Sequence, residues 1–236
     1  MNDSNADPGL IVCVGNEDDA FVAALAGSTN GAAPTVFIDE RDAFARTPFA
    51  LRIRGSTAEI RLQLDGHGRI NASDLAGVVL RPTRGVTWHP RARVEDRHFL
   101  HHESMAAWFA LLGALPCPVA NRFPLEGWWC DETVHARLGA DLASVLAEIP
   151  VVTRGKSAYL ASATVREASP DAAPLVSFLL HHGEAVRAWQ ESTGTFVCRV
   201  EVTPGGETLV DPAPDFAGVD PKILALVAAG TIQGFV

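Results

Sequence analysis

The chain has 236 residues, of which 47% are hydrophobic and 20% charged, as in an ordinary globular protein. Its formal net charge of -9 and its pI near 5.3 argue against nucleic-acid and membrane partners, because phosphate groups are bound by basic surfaces. No apolar run reaches the roughly 20 residues that span a bilayer, and residues 1–8 do not resemble a signal peptide. We therefore expect a cytoplasmic protein.

The first part of the chain alternates buried strands with helices. Residues 9–15 (GLIVCVG) form a continuous apolar run typical of a strand buried on both faces. Asn16 is expected to cap a helix over 18–27, which ends at Gly27. A second buried strand, TVFID at 35–39, and a short helix over 39–46 follow. This βαβα order predicts a parallel sheet with helices on its faces.

The next segments change character. Residues 49–55 and 57–66 alternate apolar and polar positions, which predicts an antiparallel hairpin with one solvated face. Residues 65–68 (DGHG) are expected to form a turn, and 74–82 (DLAGVVLRP) a further buried strand. Residues 83–97 are rich in arginine, proline and histidine, and we expect a loop there.

From about residue 95 to Pro150 the predicted elements are mainly helices. A long helix is predicted over about 95–114, a short strand at 118–121, an irregular stretch at 122–131 and a helix over 132–147. We expect a domain boundary near residues 149–152.

Beyond Pro150 the pattern predicts mostly strands, at 157–165, 173–182, 184–191 and 195–203. Asp220 and Pro221 have the residue types that open a final helix, which is expected to end at Gly230. The predicted fold is therefore α/β. A parallel-sheet domain spans 1–150, and a smaller, strand-rich α+β domain spans 151–236.

Six short motifs follow one another in a definite order: GVVLRP (77–82), ESMAAW (103–108), PVAN (118–121), IPVVT (149–153), GEAVRAW (183–189) and TFVCRV (195–200). In this order they resemble the ATP-grasp ligases, in the branch with a glutathione-synthetase-like preceding domain that includes peptide-modifying enzymes. The resemblance implies a pre-ATP-grasp domain followed by a truncated, degenerate ATP-grasp domain. It also implies that 183–189 and 195–200 are paired central strands.

The departures from that family concern its nucleotide machinery. Lysines neutralise the nucleotide phosphates in the family, but this chain has VHAR at 134–137 where one is usual, and its only lysines are Lys156 and Lys222. The glycine-rich loop expected near Lys156 is missing. The family's Mg²⁺-binding Glu and Asn follow a segment like 232–236, and this sequence shows no counterpart of them. We therefore expect no cofactor, with ATP and Mg²⁺ required only if the chain is an active ligase.

Candidate ligand- or partner-binding residues fall in three groups. Arginines at the end of a buried strand and in the loop after it can bind a carboxylate or phosphate, or simply keep that loop soluble: Arg81, Arg84 and Arg91. Loop tryptophans can line a cleft or pack the loops onto the core: Trp88, Trp128 and Trp129. The motifs of the resemblance add Glu103, Asn121 and Arg187, and Lys156 is a residual nucleotide-phosphate candidate.

Three histidines offer an alternative site. His98, His101 and His102 have the i, i+3 and i+4 spacing that can place imidazoles on one helix face to bind a metal, although no further ligands close the set. A solvated helix end is the simpler interpretation. Gly155-Lys156-Ser157 lacks the first glycine of a P-loop, because Pro150 stands there, and a turn before a strand is favoured. Cys198 is expected to be a buried hydrophobe.

These observations leave three functions open. The first is a degenerate ATP-grasp-like protein that binds a substrate peptide or a partner enzyme in a biosynthetic pathway. The second is a minimal amide- or ester-forming ligase completed by another chain. The third is a small metal-dependent enzyme that uses the three histidines. We expect no independent ligase activity, and a homodimer is a further possibility.

Overall fold

A computed structural model describes residues 9–28, 34–40, 49–54, 57–64, 68–81, 91–121, 132–162 and 164–233. The chain divides into two compact units. The first comprises Met1–Glu17 and Thr29–Val119, and the second Asp18–Ser28 and Ala120–Val236. The chain passes from the first unit to the second between Val119 and Ala120, which is earlier than the predicted boundary at 149–152. The division into functional domains at residue 150 stays a prediction.

The described strands are β1 (Leu10–Gly15), β2 (Thr35–Asp39), β3 (Phe49–Arg54), β4 (Thr57–Leu64), β5 (Gly68–Asn71), β6 (Leu75–Arg81), β7 (Val119–Ala120), β8 (Lys156–Ala161), β9 (Thr164–Glu167), β10 (Val197–Val202) and β11 (Thr208–Asp211). The helices are α1 (Ala20–Ser28), α2 (Arg97–Ala114), α3 (Glu132–Val145), α4 (Ala173–His181), α5 (Gly183–Thr193) and α6 (Pro221–Gln233). None of these helices is long and apolar enough to cross a membrane.

A parallel sheet forms the centre of the first unit, with strand order β2-β1-β6-β7. Strand β1 pairs in parallel with both β2 and β6, as the βαβ pattern predicted. Residues 11–14 of β1 are almost completely buried, because a strand flanked on both sides and covered on both faces has no solvated side. The predicted buried strands at 9–15, 35–39 and 74–82 are confirmed.

A three-stranded antiparallel sheet, β3-β4-β5, completes the first unit. Leu51 pairs with Ile60 and Phe49 with Leu62, so the predicted hairpin is confirmed. Ile60 and Leu62 are buried while Arg61 between them is exposed, which is the alternation that a one-sided sheet requires. The predicted turn at 65–68 lies mostly outside the described residues.

The second unit is built on an antiparallel sheet with strand order β11-β10-β8-β9. Alternate residues of its strands, among them Leu160, Cys198 and Val200, join a buried core with apolar residues of α3, α4 and α5. Tyr159 points to the other face, where its ring lies 5.1 Å from that of Phe216, which in turn stacks on Phe21 of α1. Both faces of this sheet are therefore covered by helices or aromatic side chains.

Several predicted strands of this region are wrong. Residues 173–182 and 184–191 were expected to be strands, but they form helices α4 and α5. Leu175 and Leu179 are four residues apart and both buried, which is the helical period. The predicted single strand at 157–165 is a hairpin, since β8 and β9 are separated only by residues 162–163. Strand β11 was not predicted.

Helix ends also differ from expectation. Asp19, not Asn16, caps α1, because its Oδ1 accepts a hydrogen bond from the Phe21 amide at 2.8 Å. Gly230 does not end α6, which continues to Gln233. A Cβ at Gly230 would lie 2.6 Å from Thr164 Oγ1, so the glycine allows close packing of α6 against the β8–β9 hairpin. Asp220 caps this helix as predicted, and most of the helix predicted over 39–46 lies outside the described residues.

Candidate functional site

Polar residues gather at the carboxyl edge of the parallel sheet. Strands β2, β1 and β6 end at Asp39, Gly15 and Arg81, and these three residues are register partners, so Asp39 and Arg81 flank Gly15. Asn16 and Glu40 follow directly after β1 and β2. We call Asn16, Asp39, Glu40 and Arg81 the edge cluster. It occupies the position where ligands collect in open α/β sheets.

The edge cluster brings a permanent positive charge and two acids into a region largely closed to solvent. Arg81 is only 2% exposed, and Asn16 and Glu40 are also buried. A buried guanidinium is tolerated only when it is paired and hydrogen-bonded, and all four members of the cluster make interactions within the structure. Of these four residues, only Arg81 was predicted from the sequence as a site residue; Asn16 was predicted as a helix cap, and Asp39 and Glu40 were not predicted. Their position directly after buried strands was the signal that would have found them.

A second polar group lies in the second unit, where α3 meets β11. His135 Nε2 is 3.6 Å from Asp211 Oδ1, and Arg199 Nη2 is 3.7 Å from Asp211 Oδ2. Arg199 and Asp211 are opposite each other in the antiparallel register of β10 and β11. We call these three residues the His135 cluster. All three side chains are partly exposed, so solvent or a ligand can reach them.

Gly139 allows α3 to approach β11 this closely. A Cβ at Gly139 would overlap the carbonyl oxygen of Thr208, and it would lie 2.6 Å from the carbonyl carbon of the same residue. Only a residue without a side chain fits at such a helix–strand contact. His135 lies four residues earlier on the same helix face, so the approach that Gly139 permits also brings His135 to Asp211.

Asn121 fixes the backbone next to the His135 cluster. Its Nδ2 donates a hydrogen bond of 3.0 Å to the Pro212 carbonyl oxygen, and its Oδ1 accepts one of 3.0 Å from the Val197 amide. The residue is buried and has a φ of 59°, a conformation that asparagine tolerates better than most residues. Asn121 thereby joins the start of β10 to the residue after β11. Its predicted contact with a ligand stays a prediction.

The His135 cluster contains no nucleophile. Arg199 Nε and His135 Nε2 are buried and make no hydrogen bond among the described residues, and the acceptor that faces both side chains is the Asp211 carboxylate. Cys198 is adjacent in sequence but completely buried. Burial, reinforced by the negative charge of Asp211, raises the pKa of its thiol far above the usual range. Cys198 is therefore a neutral core residue, as predicted.

The raised pKa of Cys198 predicts a loss of stability in alkali. An unfolded chain releases this proton near the ordinary thiol pKa of about 8.5, whereas the folded chain retains it. The unfolded state therefore binds fewer protons above that pH, and the free energy of unfolding falls as pH rises, by at most about 1.4 kcal/mol per pH unit. We expect urea denaturation between pH 7.5 and 9.5 to show a shallower pH slope for Cys198→Ala than for the wild type. Equal pH slopes of the free energy of unfolding in the two proteins would contradict a raised thiol pKa at Cys198.

The described residues do not supply a metal site of the kind that Mg·ATP requires. No group of three or more His, Cys, Asp or Glu side chains is arranged to hold a metal ion in this part of the chain, whereas Mg²⁺ prefers several oxygen ligands. Lys156 is half-buried at the start of β8, after a turn at Gly155. The prediction of a turn rather than a P-loop is confirmed. We derive no ATP-dependent step from these residues.

The remaining predicted site residues are spread over the surface or lie outside the described residues. Arg91 and Glu103 are exposed, and Arg187 is exposed on α5, which is a helix and not the predicted strand. His98 and His102 are exposed with their Nε2 atoms 3.3 Å apart, while the His101 side chain is not described. Four predicted residues lie outside the described ranges: Arg84, Trp88, Trp128 and Trp129.

No family model and no curated protein matches the sequence. Solved structures do match the fold. The macrocyclase MdnB from Microcystis aeruginosa MRC superposes with a TM-score of 0.55 at 12% identity, covering 95% of this chain and 100% of that one. MdnC from the same organism, bound with the precursor peptide MdnA, gives 0.60 at 9%, covering 95% and 99%. A RiPP-associated ATP-grasp ligase from Chryseobacterium gregarium, in complex with ADP and a leader and core peptide, gives 0.59 at 9%, covering 97% of each chain.

These matches extend over nearly the whole chain, and they confirm the fold that the six motifs implied. The chain is an α/β protein with the fold of the ATP-grasp ligases.

Proposed function

We propose that this chain is a peptide-binding, ATP-grasp-like component of a peptide-modifying biosynthetic pathway, acting in the cytoplasm without independent ligase activity. The observation that carries the proposal is the structural match over 95–97% of the chain to proteins solved with precursor, leader or core peptides. A scaffold of this kind can keep a peptide-binding surface after its catalytic groups have been lost, because function resides in sites and not in the fold.

The sequence and the described side chains support binding without phosphoryl chemistry. The acyl-phosphate step of a ligase concentrates negative charge that lysines and Mg²⁺ neutralise. This chain has two lysines. Lys222 lies in the first turn of α6, and Lys156 is half-buried at the start of β8, opposite Val202 of β10. Arginine can replace the charge of a lysine but not its geometry, so Arg137 and Arg199 are poor substitutes.

We further propose that exposed charged side chains contact the peptide. In the first unit Arg91 and Glu103 are exposed, so each can pair with a peptide charge or terminus. In the second unit Arg187 is exposed and is a separate candidate contact. Such pairs give specificity more than affinity. Because these side chains are on the surface, replacing them with alanine leaves the core unchanged.

Two measurements on the full chain test the proposal. Addition of Mg·AMPPNP, followed by thermal shift and calorimetry, is expected to leave the melting temperature unchanged, since a ligand stabilises a protein only if it binds the folded state. Selection from a displayed library of random 20-residue peptides is expected to enrich binders. Their affinity is expected to fall about tenfold, or about 1.4 kcal/mol, in the combined Arg91→Ala and Glu103→Ala variant, and Arg187→Ala is measured separately. Arg52→Ala, also exposed, serves as the control.

The outcomes separate the proposal from its main alternative. A clear rise in melting temperature with Mg·AMPPNP, or ATP hydrolysis that requires a peptide, would show an active ligase. No enriched peptide, or binding that is equal in the combined Arg91→Ala and Glu103→Ala variant, in Arg187→Ala and in the Arg52→Ala control, would refute the proposed peptide contacts.

A further inference from the structure

Two histidines at the start of α2 are arranged like the two arms of a chelate. His98 and His102 are one helical turn apart, both are exposed, and their Nε2 atoms lie 3.3 Å from each other. The ring centroids are 4.4 Å apart with an interplanar angle of 58°, so the rings converge at their Nε2 tips rather than stacking.

This separation matches two bonds to a single transition-metal ion. With metal–nitrogen bonds of 2.0–2.1 Å, nitrogens 3.3 Å apart subtend about 107° at the metal, close to the tetrahedral angle that Zn²⁺ adopts. Both imidazoles then carry their remaining proton on Nδ1, and a small rotation of the rings directs both Nε2 lone pairs at the ion. Imidazole is a ligand that Zn²⁺, Cu²⁺ and Ni²⁺ share, and Mg²⁺ does not.

We propose that His98 and His102 form a two-imidazole binding site for a divalent transition-metal ion, with water in the remaining coordination positions. The site does not depend on the proposed peptide-binding function. Because no third side chain among the described residues joins a group that could hold a metal, the affinity rests on the chelate formed by the two histidines. The second bond forms intramolecularly, at the high effective concentration that the rigid helix provides. Glu95 and Asp96 in the preceding turn add negative charge nearby.

The chain contains a control pair. His181 and His182 are adjacent at the end of α4, with ring centroids 5.0 Å apart and ring planes at 90°. His181 ends α4 and His182 lies between α4 and α5, so this pair lacks the i, i+4 spacing that places two imidazoles on one helix face.

The test is a titration of the metal-free, tag-free full chain with Zn²⁺, followed by calorimetry and by competition with a chromogenic chelator. We expect one equivalent to bind, and His98→Ala or His102→Ala to weaken binding at least about tenfold, because each leaves only one imidazole of the i, i+4 pair. The double variant His181→Ala with His182→Ala is expected to bind as the wild type does. Circular dichroism checks that every variant is folded.

A rescue variant tests the geometry itself. Ala106 is exposed four residues after His102, so His98→Ala combined with Ala106→His rebuilds an i, i+4 pair and is expected to restore binding. His102→Ala combined with Ala106→His leaves the imidazoles two turns apart and is not expected to restore it. Unchanged Zn²⁺ affinity in His98→Ala and His102→Ala, or equal affinity in the two Ala106→His combinations, would overturn the proposal.

Discussion

Replacing Gly139 by alanine is expected to destabilise the protein by about 3 kcal/mol or more, a cost at the upper end of that for overpacked cores. The new methyl group would overlap the Thr208 carbonyl oxygen and lie 2.9 Å from Leu209 Cα. Both obstacles are backbone atoms of a paired strand and cannot rotate away. Helix α3 or strand β11 must therefore shift, and the measurement is the free energy of unfolding from urea denaturation.

Gly113→Ala is the matched control for this prediction. Gly113 is also helical, but nothing lies within 4 Å of the position its Cβ would take. Alanine there is expected to be neutral or to stabilise by about 0.5–1 kcal/mol, because alanine has the higher helix propensity. If both alanine variants had the stability of the wild type, the close contact between α3 and β11 would be refuted.

Asn121→Ala is expected to cost about 2–6 kcal/mol, because it leaves the Val197 amide and the Pro212 carbonyl without their partner and each such loss costs about 1–3 kcal/mol. The positive φ adds strain for alanine that asparagine bears more easily. The measurement is again urea denaturation.

Two further substitutions separate the loss of the two hydrogen bonds from the backbone strain at Asn121. Asn121→Gly removes the side chain but accepts the positive φ, so it is expected to be less damaging than alanine. Asn121→Asp keeps an acceptor for the Val197 amide but loses the donor to Pro212, and it places a charge in a buried position. Wild-type stability in Asn121→Asp would show that the bond to Pro212 contributes little.

The parallel sheet was predictable because each of its longer strands is a continuous apolar run with polar residues only at its ends. A run such as 11–14 has no polar residue to place on a solvated face, so burial on both faces is the simplest outcome. Helix α4 was mistaken for a strand because a short apolar segment carries little period information. For α5 the strand was implied by the family resemblance, although its sequence is not an apolar run. The spacing of Val186, Trp189 and Gln190, all buried, is helical and was overlooked.

The candidate sites were less predictable than the fold. Arg81 was found because it ends an apolar strand, and the same reasoning, applied to Asp39 and Glu40 after β2, would have found more of the edge cluster. The His135 cluster depends on the register of β10 with β11 and on the position of α3. His135 and Asp211 are far apart in the sequence, and no local pattern shows that a glycine one turn later brings them together.

The contact between α3 and β11 also limits how a peptide can bind. Strand β11 is at the edge of its sheet, where an extended chain would ordinarily add by backbone hydrogen bonding. Helix α3 lies against the backbone of β11 at Thr208 and Leu209. A peptide that added to this edge would have to leave room for α3 at these two residues, so strand addition there would be restricted to the remaining residues of β11.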